Sequence, residues 1–268
     1  MKNKAVFGWL VTGALLVGGA TGFYLWQESM KPPLQVLEPM APPAAPTVQA
    51  EPAIRYPIPQ SDDAKAKPLP PLDQSDKAIR DELYGLIGLQ ALNALFNSEH
   101  FVRNVVVTID NLPRKTLAVR LLPTKPATGG DGFVTSGNGD SLSIAEGNAV
   151  RYKPFIRVAA VIDAKKLVAS YVHYYPLFQR AYEELGYPKG YFNDRLVAVI
   201  DHLLDAPEVE GPVRLTQPHV LYKFADPELE GASAGHKIMV RMGDANAEEV
   251  KVKLREIRRE LTGRALPK

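Results

Sequence analysis

The chain of 268 residues contains no cysteine. A lipoprotein carries its lipid on a cysteine, so that route to a membrane is closed. The same lack suits an oxidising compartment without requiring one. An excess of one charge is also missing. From residue 73 onward 26 Lys and Arg stand against 25 Asp and Glu, which leaves no basic surplus for nucleic acid or for an anionic membrane surface. The five histidines, His100, His173, His202, His219 and His236, include no i, i+4 pair around a glutamate, so no helical zinc motif is present. Gly129, Gly130, Gly132, Gly137 and Gly139 lead into neither Gly-Lys-Ser/Thr nor a helix, which makes them a turn and not a phosphate cradle. No Gly-x-Ser-x-Gly elbow exists, and Ser170 with His173 is only a helical i, i+3 pair. These absences lead to the expectation of no metal, no cofactor and no catalytic residue.

A long apolar run is present, and it stands first. Lys2 and Lys4 precede an uncharged stretch over residues 5–26. About 22 residues of helix reach roughly 33 Å, enough for one bilayer span. The flanking lysines keep the N-terminus in the cytoplasm, while Trp9 and then Phe23, Tyr24 and Trp26 suit the two interfaces. A cleaved signal would have a shorter apolar core and a small-x-small site, and bulky Tyr24, Leu25 and Trp26 stand where that site would be. The expectation is a single-pass inner-membrane anchor with the bulk of the chain in the periplasm. Ala14, Gly18 and Gly22 recur every four residues and offer a face for a homodimer or a partner helix.

Twelve of the 23 prolines fall between residues 32 and 71. Such composition buries too little to fold and reads as a disordered, semi-stiff tether of roughly 120 Å at most. The domain boundaries expected are therefore 1–30 for tip and anchor, 31–72 for a Pro-rich linker, and 73–268 for one globular domain.

Within 73–268 the apolar spacing predicts six or seven helices with one or two minor hairpins, a mainly α fold. One helix is expected from Asp73 or Ser75 to about Phe96, and a second from Ser98 to Asn111. Two more cover about 151–162 and the stretch after Asp163, kinked at Pro176. Asn193 is read as the cap of a helix ending before Pro207. Residues 227–242, broken near Ser233, and 244–261 complete the set. The last has Glu248 and Glu249 early and Arg255, Arg258 and Arg259 late, an order that follows the helix dipole. Hairpins are expected around the Gly137–Asn138–Gly139–Asp140 turn and between 213–216 and 220–224.

Several short stretches together carry a resemblance: 107–113 (VTIDNLP), Arg151 with Tyr152, 175–179 (YPLFQ), Ala181 with Tyr182, 184–188 (ELGYP), 192–195 (FNDR), 224–230 (FADPELE) and 241–243 (RMG). Over most of 72–261 the chain is similar to proteobacterial envelope proteins that carry domain of unknown function 3014 behind an N-terminal span. The resemblance implies a membrane-tethered, periplasmic domain and supplies no activity. His236 stands where that family has glutamine, which argues against an obligatory imidazole.

Seven of the eleven tyrosines, Tyr152, Tyr171, Tyr174, Tyr175, Tyr182, Tyr187 and Tyr191, fall in one region. With Arg151, Gln179, Asn193, Asp194 and Arg195 they could line a groove for sugar or an extended peptide. Alternatively the rings pack between helices while the polar groups satisfy buried backbone, and this reading carries more weight. The candidate surface is thus Arg151, Tyr152, Tyr171, Tyr175, Gln179, Tyr182, Asn193, Asp194 and Arg195. The leading function is an envelope interaction or scaffold module that binds a protein partner or cell-wall material. The alternative is a wall glycan or peptide hydrolase or transferase using two carboxylates among Glu183, Glu184, Asp194 and Asp201, and it requires them to converge. Asp201 beside His202 faces a different way on a helix and makes no base and orienter pair.

Overall fold

The chain divides into two units, Met1–Ala50 and Glu51–Lys268. The structure, a computed structural model, describes residues 53–58, 68–127 and 132–263. The expected membrane span and the Ala14, Gly18, Gly22 stripe lie outside the described residues. Among those residues no helix is long and apolar enough to cross a membrane.

Nine helices occur among the described residues: α1 (Asp76–Ile87), α2 (Leu89–Leu95), α3 (Phe101–Asn111), α4 (Lys153–Val161), α5 (Ala164–Glu184), α6 (Phe192–Leu204), α7 (Pro227–Gly231), α8 (Ala234–Met242) and α9 (Asp244–Thr262). Two antiparallel hairpins, β1 (Thr135–Ser136) with β2 (Ser143–Ile144) and β3 (Leu215–Thr216) with β4 (Lys223–Phe224), complete a mainly α fold. A bridge between Ser143 and Arg214 joins the two hairpins.

The count exceeds the expected six or seven because the helices expected over 75–96 and 227–242 each appear as two. Gly88 adopts φ 79°, a left-handed value that a residue with a Cβ rarely takes, and it separates α1 from α2. The predicted break near Ser233 is found, and there the Ser233 hydroxyl caps α8 by accepting from the His236 amide at 3.1 Å. Asp163 caps α5 in the same way, from the Lys166 amide at 3.0 Å. Ser98 does not cap α3. Instead His100, at φ 50°, precedes the helix, and the Asp76 carboxylate on α1 accepts from the amides of His100 (2.7 Å) and Phe101 (3.0 Å). A charge at the first turn of α1 therefore satisfies the orphan amides of a different helix. α5 continues through the exposed Pro176.

Two apolar clusters flank α5. One gathers Ile79, Phe101, Val102, Val106, Phe178 and Phe192 from α1, α3, α5 and α6. The other gathers Val168, Val197, Ile200 and Leu261 from α5, α6 and α9. Phe192, the first residue of α6, is 0% exposed. Its ring stacks on Phe178 at 6.0 Å and 5°, with Tyr182 at 5.5 Å and Tyr171 at 6.5 Å.

Candidate functional site

The tyrosine region forms a ledge, and the chain itself occupies it. Residues 53–58, inside the stretch expected to be disordered linker, lie along the N-terminal end of α6. The Asp194 carboxylate accepts from the amides of Arg55 (2.9 Å) and Tyr56 (2.8 Å), and the Tyr191 hydroxyl accepts from the Ile58 amide at 2.7 Å. The Asn193 amide group donates to the Tyr56 carbonyl at 2.8 Å. All four bonds address backbone, so the ledge holds the main chain of a short segment that bends at Arg55 and Tyr56 and leaves its side chains to pockets. Tyr56 packs into the cluster of Val168, Val197, Ile200 and Leu261, and Ile58 into that of Phe178 and Phe192. The composition argument fails at this point because it averages over the whole stretch. Within it Tyr56 and Ile58, two apolar residues either side of Pro57, are enough to seat the segment on the domain, while Ile54 stays exposed.

Asn193 is not the cap of α6 but lies inside its first turn, 0% exposed. Its side-chain oxygen takes the Tyr171 hydroxyl at 3.2 Å while its nitrogen holds the docked strand. Tyr175 donates to Gln179 at 2.9 Å. Gln179 in turn accepts from the Phe192 amide at 2.9 Å and donates to the Gly190 carbonyl at 2.8 Å, which ties the 186–191 turn to α5. Tyr182 stacks on Tyr187 at 4.5 Å. A Cβ on Gly190 would meet the Tyr182 ring at 2.7 Å, so the turn can close only on glycine. The rings of Tyr171, Tyr175 and Tyr182 pack inward, as the packing reading has it, while the Tyr171 hydroxyl meets Asn193 and the Tyr191 hydroxyl the Ile58 amide. Burial raises the phenols of Tyr171, Tyr175 and Tyr182 above their ordinary value, so they serve as hydroxyls and not as bases.

Arg151 and Tyr152 are not brought to the ledge. Arg151 donates to the Ala127 carbonyl at 3.0 Å, and Tyr152 packs with Ile156 and Met239. Arg195 faces away from the strand into a network that sequence reading missed. Asp110, 3% exposed, accepts from Arg195 Nε at 3.1 Å, from the Tyr187 hydroxyl at 3.2 Å and from Arg114. Arg195 also donates to the Asp110 carbonyl at 2.7 Å. The signal was available: Asp110, Tyr187 and Arg195 belong to three of the stretches that carry the resemblance.

The carboxylates considered for glycan chemistry do not converge. Glu183 accepts from Gln179, Glu184 pairs with Arg103 and Arg180, Asp194 holds the docked strand, and Asp201 pairs with Arg258. Asp201 and His202 do not meet. His202 instead contacts the Ser233 hydroxyl at 2.8 Å and stacks on His236 at 4.0 Å. Burial, and then the neighbouring His236, lower the His202 pKa. Among the described residues no cluster of three or more His, Asp or Glu could hold a metal.

Between the two apolar clusters lies a half-enclosed cavity of about 380 Å³. Its wall is apolar, built from residues such as Leu83, Val105, Ile109, Val158, Phe178 and Leu254.

No curated protein and no solved structure matches the chain. A family described as a protein of unknown function, DUF3014, matches over residues 101–258. That span contains Asp110, Tyr187, Arg195 and the ledge, and it starts after the strand that docks there. With more than half of its length matched, and with the buried network and the ledge inside the match, the chain belongs to the DUF3014 family.

Proposed function

We propose that the chain is a non-catalytic interaction protein, held at a bacterial inner membrane by residues 5–26 with its domain in the periplasm. Its ledge of Tyr191, Asn193 and Asp194 receives an extended segment of a protein partner. The observation that carries this reading is the docked segment 53–58, because four bonds to its backbone make a site for a peptide main chain. Residues 53–58 are tethered to the ledge at an effective concentration on the order of millimolar. A partner therefore competes with the chain's own strand, which keeps the ledge closed until a better or more concentrated segment arrives. Carboxylate hydrolysis finds no support, since all four candidate carboxylates are engaged apart from one another.

The test uses the full-length chain with Tyr56→Gly and Ile58→Gly, which weaken the internal strand, and a fluorescent peptide copying residues 51–58. The variant should bind the peptide at least about tenfold more tightly than the wild type, and adding Asp194→Asn should remove that binding. Equal binding by wild type and variant, or none by a variant that retains its circular dichroism, sinks the ledge as a peptide site. Topology has a separate test. A periplasm-active reporter fused after Lys268 should be active, and silence from a stably expressed fusion overturns the orientation.

A further inference from the structure

We infer that the cavity between the two apolar clusters is a binding site for the single hydrocarbon chain of an amphiphile whose head is uncharged or cationic. The site uses none of the ledge's polar groups, although Val168, Ile200, Phe178 and Phe192 on its wall belong to the clusters that also take Tyr56 and Ile58. An engineered apolar cavity of about 150 Å³ holds one benzene and stays dry when empty. At about 380 Å³ the present cavity has room for roughly a dozen carbons on that scale. Its size falls in the usual range for ligand sites, and like them it joins an apolar wall to very few polar groups. Many of the lining side chains, Leu83, Val105, Ile109, Val158, Leu196 and Leu254 among them, are only partly buried, as expected where apolar surface awaits an occupant.

The head group follows from charge. Glu82 is the one charged side chain on the wall among the described residues. It is half-buried and accepts a hydrogen bond from the Ser170 hydroxyl, also on the wall. Among the described residues no lysine or arginine lines the cavity. A carboxylate head would meet Glu82 in a partly desolvated setting with no cation to offset the repulsion. A hydroxyl head can donate to Glu82, and an ammonium head can pair with it.

The experiment takes the full-length chain in a fluorinated surfactant, whose tails mix poorly with hydrocarbon. Linear alcohols from hexanol to hexadecanol are titrated by calorimetry, and complexes are weighed by native mass spectrometry. A one-to-one complex is expected. Affinity should rise about tenfold for each two added carbons and level off near dodecanol, where the cavity is full. Dodecanoate should bind at least about tenfold more weakly than dodecanol, and Glu82→Gln should bring the two within about threefold. Val105→Phe with Val158→Phe fills the cavity from two helices, and this variant should keep its melting temperature while losing dodecanol binding.

Absence of a one-to-one complex overturns the proposal. So does affinity that climbs without a break through hexadecanol, the mark of bulk partitioning, or undiminished binding by the filled variant. Dodecanoate binding as tightly as dodecanol overturns the head-group assignment. If the filled variant does not fold, a dodecanol carrying a mid-chain diazirine decides the matter: crosslinks to lining residues of α1, α3, α4, α5, α6 or α9 support the site, and crosslinks confined to other residues refute it.

Discussion

Phe192→Ala is expected to destabilise the domain by about 4 kcal/mol. Phe192 is 0% exposed and stands where Tyr171, Phe178 and Tyr182 converge. Its removal takes away a large buried apolar surface and leaves a hole framed by rings that cannot easily collapse. For a domain of this size each kcal/mol moves the melting temperature by roughly 2–4 °C, so thermal unfolding followed by far-UV circular dichroism should fall by about 8–16 °C. Ile58 packs into the same cluster, so the variant should also release the docked strand, read as faster protease cleavage near Arg55. A shift under about 3 °C would mean that the Phe192 ring is not the centre of that cluster.

The second large effect is expected at Asp110→Ala. The carboxylate takes bonds from Arg195, Tyr187 and Arg114 while 3% exposed. Its loss leaves the Arg195 guanidinium partly buried with only the Asp110 carbonyl as acceptor. Removing one partner of a buried pair costs about 3–5 kcal/mol; the exposure of Arg114 argues for the lower end. The melting temperature should drop by about 6–12 °C. Arg195→Ala should cost less, since Asp110 keeps Tyr187 and Arg114. The double variant should fall short of the sum by about 1 kcal/mol or more, because both changes remove the same bonds. Strict additivity in chemical denaturation would show that the pair is not coupled and that the network does not hold α3 to α6.

Helical texture was legible wherever periodicity and caps agreed. Asp163 and Ser233 were read as a cap and a break from residue type alone, and the hairpin of β3 and β4 from two short apolar runs. Legibility ended where a local signal was satisfied by something distant. Ser98 looked like a cap, but the orphan amides of α3 found Asp76, two dozen residues away in sequence. Asn193 looked like a cap and is instead a buried bridge between Tyr171 and the docked strand. Asp110 gave no local sign at all, because a carboxylate on a helix looks solvated until Arg195 and Tyr187 are known to reach it. The tyrosine cluster was identified as a region, but its division into inward rings and outward hydroxyls is a tertiary property.

The docked strand also determines where force enters the domain. A pull along the chain from its N-terminal side reaches Ala53 before it reaches Leu72, so the load passes into α6 through Asp194 and Asn193 while α1 carries none. The four bonds that hold Arg55, Tyr56 and Ile58 sit within a few residues of one another and give way together, as a mechanical fuse does. Once the fuse yields, the stretch up to Leu72 pays out at most roughly 65 Å of new contour length, and the tension on the helical domain drops before any helix is unwound.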